Sequence, residues 1–323
     1  MKVIGMGELM VQLNSTNNGP LRYTRQFERH VAGSEANVII GMKKLGIDGA
    51  FITAVGDDEF GITILNALRS EGIETNSVKT VKDFPTGVYF VQRGYPVPNK
   101  AVVFYYRRGS AFSTYSTTDL PEEAFADADL FHLSGITPAL SESCKHASLK
   151  AVRLAKEHRV PVSFDTNIRR KLLPTSDCAL TCLMEFIRQA DFLITGQADI
   201  DFLFPGLSFE AQIEKMTSLT ETTKWIVLKN GAAGASLFLD RQWFHVPGFQ
   251  VDVVDELGAG DAFDAALLSS LLIGKDIKEA LKWANAAGAM TVMGTGDIEP
   301  LPTWRDLEQF LSFYASDHEG LLR

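Results

Sequence analysis

A doubly wound α/β fold with a mostly parallel sheet, joined by a small second sheet, is what this sequence predicts. Three observations carry the prediction. Short apolar runs of strand length alternate with longer amphipathic stretches over most of the chain, the pattern that places helices on both faces of a parallel sheet. Glycines stand just beyond several helical stretches, where a left-handed residue ends a helix. The alternation breaks in two β-rich regions near 10–30 and 84–110, which supply strands for the second sheet.

Residues 2–7 (KVIGMG) read as a first buried strand, and 10–14 and 22–28 look extended. A helix over 34–45 closes at Gly46, a strand covers 50–55 (AFITAV), and a helix over 60–71 closes at Gly72. Residues 86–92 and 101–107 are β-rich and flank GYPVPN, whose Gly and two Pro mark a turn. Strands follow at 129–133, 160–164, 191–195 and 225–229, with helices at 142–158, 177–190 and 208–219. A hairpin at 235–246 precedes helices near 259–273, 276–293 and 303–315. No repeat, low-complexity tract or linker divides the chain, so residues 1–323 are expected to form one domain with a β-sheet excursion.

Hydrophobic residues make up 46% and charged residues 22%, an ordinary globular balance. The net charge of −9 excludes a broad basic field for nucleic acid. It does not exclude an anionic ligand, because a few arginines reverse the field inside a pocket. No apolar run reaches the ~18 residues of a membrane span, and MKVIGMGELM lacks a signal-peptide core. Cys144, Cys178 and Cys182 give no disulfide framework. A soluble, cytoplasmic protein with no membrane partner is therefore expected. Cys178 and Cys182, four apart on one helix, lack companion ligands and read as packing thiols. The six histidines show no ligand spacing.

The stretch that carries chemistry is DELGAGDAF, Asp255 to Phe263. It follows an extended apolar run and opens an apolar helix. Gly258 and Gly260 permit a tight turn with outward N–H groups, and the helix N-terminus adds positive potential. Such a turn seats a phosphate. Asp261, in the first helical turn, can take a proton from a hydroxyl attacking that phosphate. A plain turn followed by a helix cap is the other reading of the bare GxGD. Two further nucleotide signatures fail: no GxxxxGK[ST] occurs, and Gly5-Met6-Gly7 has Met10 at the third glycine position.

AGSEANVIIGMKKLG, Ala32 to Gly46, resembles the N-terminal signature of the PfkB, or ribokinase-like, carbohydrate kinases. AVGDDEFG, Ala54 to Gly61, is similar to that family's next segment, and DELGAGDAF resembles its C-terminal signature. Order and spacing agree along nearly the whole chain. The resemblance implies a doubly wound domain with a β-sheet lid, ATP as co-substrate and Mg²⁺. It also allows a monovalent cation. It implies Gly258, Ala259 and Gly260 as an anion hole and Asp261 as catalytic base. Gly33, Ser34 and Asn37 would meet the sugar. Lys229, Gly231 and Gly234, with Gly258, Gly260 and Asn285, would line the nucleotide site; a simple hairpin turn is the alternative for Gly231 and Gly234. Glu256 stands where the family has Thr or Ser. Gly196 to Asp199 stand at its Asn-x-x-Glu position, so Asp199 is the indirect metal candidate.

The GELM opening, with Gln12 where ribose and adenosine kinases carry Asp, resembles the 2-keto-3-deoxygluconate kinase branch. So do TGVYF, FYYRRGSA and DTNIRRKLL, which place Tyr89, Tyr105, Arg107, Asn167 and Arg169 at the substrate. Two arginines suit one carboxylate, and solvated basic turns are the alternative. A sugar acid is therefore the expected substrate, with a fructokinase-like enzyme next and a ligand-binding pseudokinase as a reading from another class. The sheet edges of the lid point to a homodimer through it.

Overall fold

The computed structural model describes residues 1–97, 100–173, 176–219 and 225–315. The first half of the chain contributes strands β1 (Lys2–Met6), β2 (Met10–Asn18), β3 (Phe27–Ala32), β4 (Asp48–Gly56), β5 (Val78–Val81), β6 (Val88–Arg93), β7 (Ala101–Tyr106) and β8 (Leu130–Ser134). The second half contributes β9 (Val162–Asp165), β10 (Phe192–Gly196), β11 (Trp225–Lys229), β12 (Ala235–Leu239) and β13 (Gln242–Val246). The helices are α1 (Ser34–Lys44), α2 (Glu59–Ser70), α3 (Ile136–Ala139), α4 (Glu142–Glu157), α5 (Ser176–Gln189), α6 (Gln197–Leu203), α7 (Phe209–Leu219), α8 (Ala259–Leu272), α9 (Ile277–Thr291) and α10 (Trp304–Ala315).

Among the described residues nine strands form one sheet in the order β13-β12-β11-β10-β9-β8-β1-β4-β5, parallel except for β12 and β13. Both faces are covered, as a parallel sheet requires. In β1, Val3 faces one core cluster with α1, α8 and α9, while Ile4 and Met6 face a second with α4 and α5. Helices α1 and α8 approach closely because Gly41 leaves no side chain against Ala265. Strand order runs outward in both directions from β1 and β8, so their carboxyl ends form a topological switch point, where open α/β sheets bind ligands.

The β-rich segments form a four-stranded sheet, β3-β2-β6-β7. One face carries Val11 and Val31 into the core. The other carries Met10, Ala32, Tyr89 and Val91, which pack with Leu257. Cross-strand register sets His30, Gln12, Tyr89 and Tyr105 in one row on that second face.

Three local readings need correction. Residues 22–28 are not one extended piece: Leu21–Tyr23 form a single 3₁₀ turn and the strand starts at Phe27. The Leu21 amide donates to Gln92 Oε1 at 2.7 Å, so a side chain holds this segment instead of a strand partner. Strand β5 and helices α3 and α6 were not anticipated; they have four, four and seven residues, too short for a clear period. The Cys178 side chain lies outside the described residues, and Cys182 packs half-buried against the core.

Candidate active site

Two helix N-termini meet at the site. Helix α8 begins after Gly258, whose φ of +75° is left-handed, a conformation that costs a side chain dearly. The left-handed residue is thus Gly258; Gly260 is not left-handed, and a Cβ there would make only an ordinary contact, 3.4 Å from Lys229 Nζ. Asp261 follows in the first turn of α8. Ser34 Oγ donates to its Oδ1 at 2.8 Å and Asn37 Nδ2 to its Oδ2 at 2.7 Å. Both donors sit in the first turn of α1, capped by Gly33. Asn167 Nδ2 in turn donates to Ser34 Oγ at 2.6 Å. Burial pushes the Asp261 carboxyl up to about 6, against the lowering effect of Asn37 and Ser34. It stays mostly ionised at neutral pH, as a general base must.

A cleft opens in front of Asp261. Gly33, Ser34, Asn37, Tyr89, Tyr105, Arg107 and Arg169 all reach its wall, while Asn167 stands behind Ser34. The Tyr89 and Tyr105 rings lie 5.4 Å apart. The two arginine pairs resolve differently. Arg107 lies in the wall, and its Nε and Nη2 meet Glu8 Oε2 at 2.6 and 2.5 Å, with Ser110 Oγ donating to the other oxygen of Glu8. Its charge is therefore already balanced by a buried carboxylate. Arg169 borders the same cleft, is exposed, and has no ion pair among the described residues. Arg108 is exposed, and Arg170 turns away to lie 5.2 Å over the Phe202 ring.

Beyond the seat lies a second, mainly apolar cleft of about 450 Å³, lined by Lys229, Gly231, Gly234, Ala259, Gly260, Phe263 and Asn285 among others. That volume suits a nucleotide-sized ligand. Gly234 is both turn and wall: a Cβ would strike Val246 O at 2.1 Å. Asn285 Nδ2 donates to Val246 O and Pro247 O at 3.0 and 3.1 Å, fixing that wall. Lys229 is committed inward, 2.9 Å from Asp165 and 3.1 Å from Asp264. Burial opposes its charge, but the two carboxylates outweigh it and raise its value. Burial likewise holds Asp264 well above the ordinary carboxylate range, while the Lys229 charge keeps Asp165 below it.

Asp199 Oδ2 accepts from Thr166 Oγ1 at 2.6 Å and from the Ile168 amide at 3.1 Å. It thereby anchors the loop that presents Asn167, and burial raises its carboxyl. Asp199 lines neither cleft, so any contact with Mg²⁺ would have to run through water. Among the described residues no cluster of three His, Cys, Asp or Glu could hold a metal by itself. Glu256 borders the apolar cleft and is exposed, pairing with Lys100 at 2.7 Å.

Sequence reasoning missed three buried carboxylates. Asp297 sits beside Asp261, sharing Asn37 Nδ2 at 3.3 Å, and its Oδ1 has no hydrogen-bond partner on the cleft wall. Burial, then the charges of Asp261 and Asp255, push it up to about 7. Glu35 accepts from Ser134 Oγ and Thr137 Oγ1 at 2.7 and 2.6 Å, and burial raises it. Glu8 lies in the very GELM segment used for the resemblance. An acidic residue inside an apolar run was the available signal at Glu8, as was one directly after a pair of glycines at Asp297 (GTGD). Gln12 is fully buried behind the wall.

Comparison with known proteins agrees with this geometry. The pfkB family of carbohydrate kinases matches residues 2–304. A 2-dehydro-3-deoxygluconokinase of Thermoproteus tenax is 39% identical over 312 residues, 96% of this chain and 94% of that one. The crystal structure of a 2-dehydro-3-deoxygluconokinase from Thermotoga maritima superposes with a TM-score of 0.89 at 27% identity, covering 97% and 99% of the two chains. An E. coli protein described as a ribokinase II, bound to ATP and Mg²⁺, does so with 0.89 at 26% identity, covering 96% and 99%. Its doubly wound sheet, its paired clefts and a family match over nearly its full length place this chain in the pfkB family of carbohydrate kinases.

Proposed function

We propose that this carbohydrate kinase transfers the γ-phosphoryl group of ATP to a hydroxyl of 2-keto-3-deoxygluconate or a close sugar acid. The observation that carries the reading is an uncommitted Arg169 on the same small cleft as the buried, oriented Asp261. Asp261 takes the proton of the attacking hydroxyl. The hydroxyl oxygen bonds to the γ-phosphorus as the bond to the ADP oxygen breaks. The N–H groups at Gly258, Ala259 and Gly260 meet the charge that develops on the phosphoryl oxygens. When bound, Mg²⁺ would neutralise charge on the phosphates, and Asp199 is the residue that would help to hold it. Arg169 meets the substrate carboxylate with paired hydrogen bonds, and Arg107 adds its remaining N–H groups beside Tyr105. Asp297 Oδ1, buried and unpartnered, suits a substrate hydroxyl. The nucleotide enters the apolar cleft, with Gly231, Gly234 and Asn285 at its wall.

The four-stranded sheet serves as lid over the sugar. Its other face carries Phe90 in edge contact with Phe27 and Tyr106, with Phe104 and Tyr106 exposed. That aromatic surface is where two copies pair into a homodimer, and a monomer mass at every concentration would remove it. No described helix is long and apolar enough to cross a membrane. A cytoplasmic setting suits the free thiol of Cys144.

The test is an ADP-release assay over 2-keto-3-deoxygluconate, gluconate, fructose and ribose. The sugar acid is expected to lead by about tenfold or more in kcat/KM. A lead for fructose would move the substrate class. Nucleotide binding with no turnover of any sugar would make the chain a binding protein.

A further inference from the structure

We propose that Arg93 is a positioning residue for phosphoryl transfer, tying the strand that roofs the sugar cleft to the turn that forms the phosphate seat. The proposal depends on the chain being a carbohydrate kinase and not on which sugar it takes.

Residues 89, 91 and 93 of β6 share one face of the smaller sheet, because side chains alternate along a strand. Tyr89 on that face lines the sugar cleft. Arg93, four residues on, places Nη2 2.6 Å from Asp255 Oδ2. The pair is largely out of water, with side chains 19% and 2% exposed, so neither charge is easily left alone. The other oxygen of Asp255 accepts from the Leu257 amide at 3.2 Å. That bond closes the turn leading straight to Gly258, the left-handed cap of α8. The Asp255 amide is held in addition by Val292 O at 3.1 Å. Leu257 itself packs with Tyr89 and Val91 on the sugar-facing side of the sheet.

One strand thus contacts the sugar cleft at one end and the seat-forming turn at the other. When the sheet settles over a sugar, Arg93 brings Asp255 and the turn into register with it, so the N–H donors of the seat and Asp261 are placed together. A nearby pair, Lys100–Glu256, also crosses from sheet to turn, but its side chains are 56% and 61% exposed. Pairs that exposed contribute little, and Lys100 serves as the control.

The full-length enzyme is compared with Arg93→Ala, Arg93→Lys and Lys100→Ala, using the panel sugar that the wild type turns over. Arg93→Ala is expected to lose about 10²-fold in kcat, the usual consequence of misplacing reacting groups by an ångström, with KM for ATP nearly unmoved. Arg93→Lys recovers most of the loss, and Lys100→Ala stays close to wild type. In the absence of any ligand, amide hydrogen exchange over residues 255–262 rises in Arg93→Ala while β8–β11 keep their protection. Four results overturn the proposal: wild-type kcat in Arg93→Ala, a loss confined to KM for the sugar, an equal loss in Lys100→Ala, or unchanged exchange over 255–262. Were no sugar turned over by the wild type, the substrate reading would fall, and the exchange experiment would still decide the role of Arg93.

Discussion

The two clefts on either side of the α8 N-terminus are built by opposite means. On the sugar side, Asp261, Asp297, Glu8, Arg107 and Glu35 are buried and bonded to one another or to Ser34, Asn37, Ser110, Ser134 and Thr137 before any ligand arrives. On the nucleotide side the wall is mainly glycine, alanine, valine and phenylalanine, with Gln250, Glu256 and Asn285 as its other polar members, and its one cation, Lys229, is turned inward onto Asp165 and Asp264. The difference follows from what each side must do. A small polar substrate offers little surface, so discrimination must come from desolvated charges whose mispairing costs much. A nucleotide offers a large flat base and a phosphate chain, which shape and backbone N–H groups hold without a side-chain code. Substitutions on the sugar side should therefore act through charge, and those on the nucleotide side through shape.

The largest expected effect is at Asp261, on the wall of the sugar-side cleft in the first turn of α8. Asp261→Asn keeps the shape and the hydrogen bond with Ser34 but cannot accept the proton. Turnover is expected to fall about 10²–10⁴-fold, with sugar and nucleotide still binding by calorimetry. Near-normal kcat in the folded variant would show that proton removal does not depend on this carboxylate.

The next contrast divides the two arginines of the sugar cleft. Arg169→Ala removes an exposed, uncommitted charge, so stability should hold while KM for the sugar acid rises about 10- to 100-fold, as for a lost charge-assisted bond. Arg107→Ala leaves Glu8 buried and partly unpaired. About 3 kcal/mol of stability should go with it, the low end for a broken buried pair, because Ser110 still donates to Glu8. Adding Glu8→Gln should return part of that stability without returning Arg107's share of substrate binding. Urea unfolding and KM, measured on the same four proteins, separate the roles. If Arg169→Ala instead unfolds early, or neutral and acid sugars lose equally, the carboxylate assignment fails.

Which parts were legible in the sequence follows the same division between local and distant causes. The parallel sheet, the turn at Gly258 and the start of α1 are set by neighbours in the chain, and their residues announce them. Glycines, an Asn and an Asp at fixed offsets suffice. The charge network was not legible, because burial of a carboxylate depends on what other segments bring to it. Arg93 and Asp255 are 162 positions apart, and Glu8 meets Arg107 across 99. Arg107 read as a substrate ligand because its partner, Glu8, looked like part of an apolar strand. Glu256 read as a departure near the phosphates; it does border the apolar cleft, but its pairing with Lys100 of the smaller sheet was not visible in the sequence. Nothing local distinguishes an arginine waiting for a ligand from one already paired.

The smallest effect concerns two carboxyls joined by one amide. Asn37 Nδ2 donates to Asp261 at 2.7 Å and to Asp297 at 3.3 Å, so the two acids lie close enough for each charge to oppose the other. Burial raises Asp261 to about 6 and Asp297 to about 7. A base works only when deprotonated. Plotted against pH, kcat/KM should thus be full above these values and fall as pH drops through about 6, where Asp261 takes up its proton. Asp297 holds its proton to higher pH than Asp261, so it is mostly neutral where Asp261 titrates, and an Asp297→Asn variant removes little charge from beside the base there. The acid limb of the variant should therefore stay close to that of the wild type, near pH 6. Asp297 also faces the cleft, so the variant should lower the height of the profile through substrate binding. Height and position are independent readings, and only the position reports the charge. An acid limb that moves down by a unit or more would mean that Asp297 is charged while Asp261 titrates, and that the order of the two values is reversed.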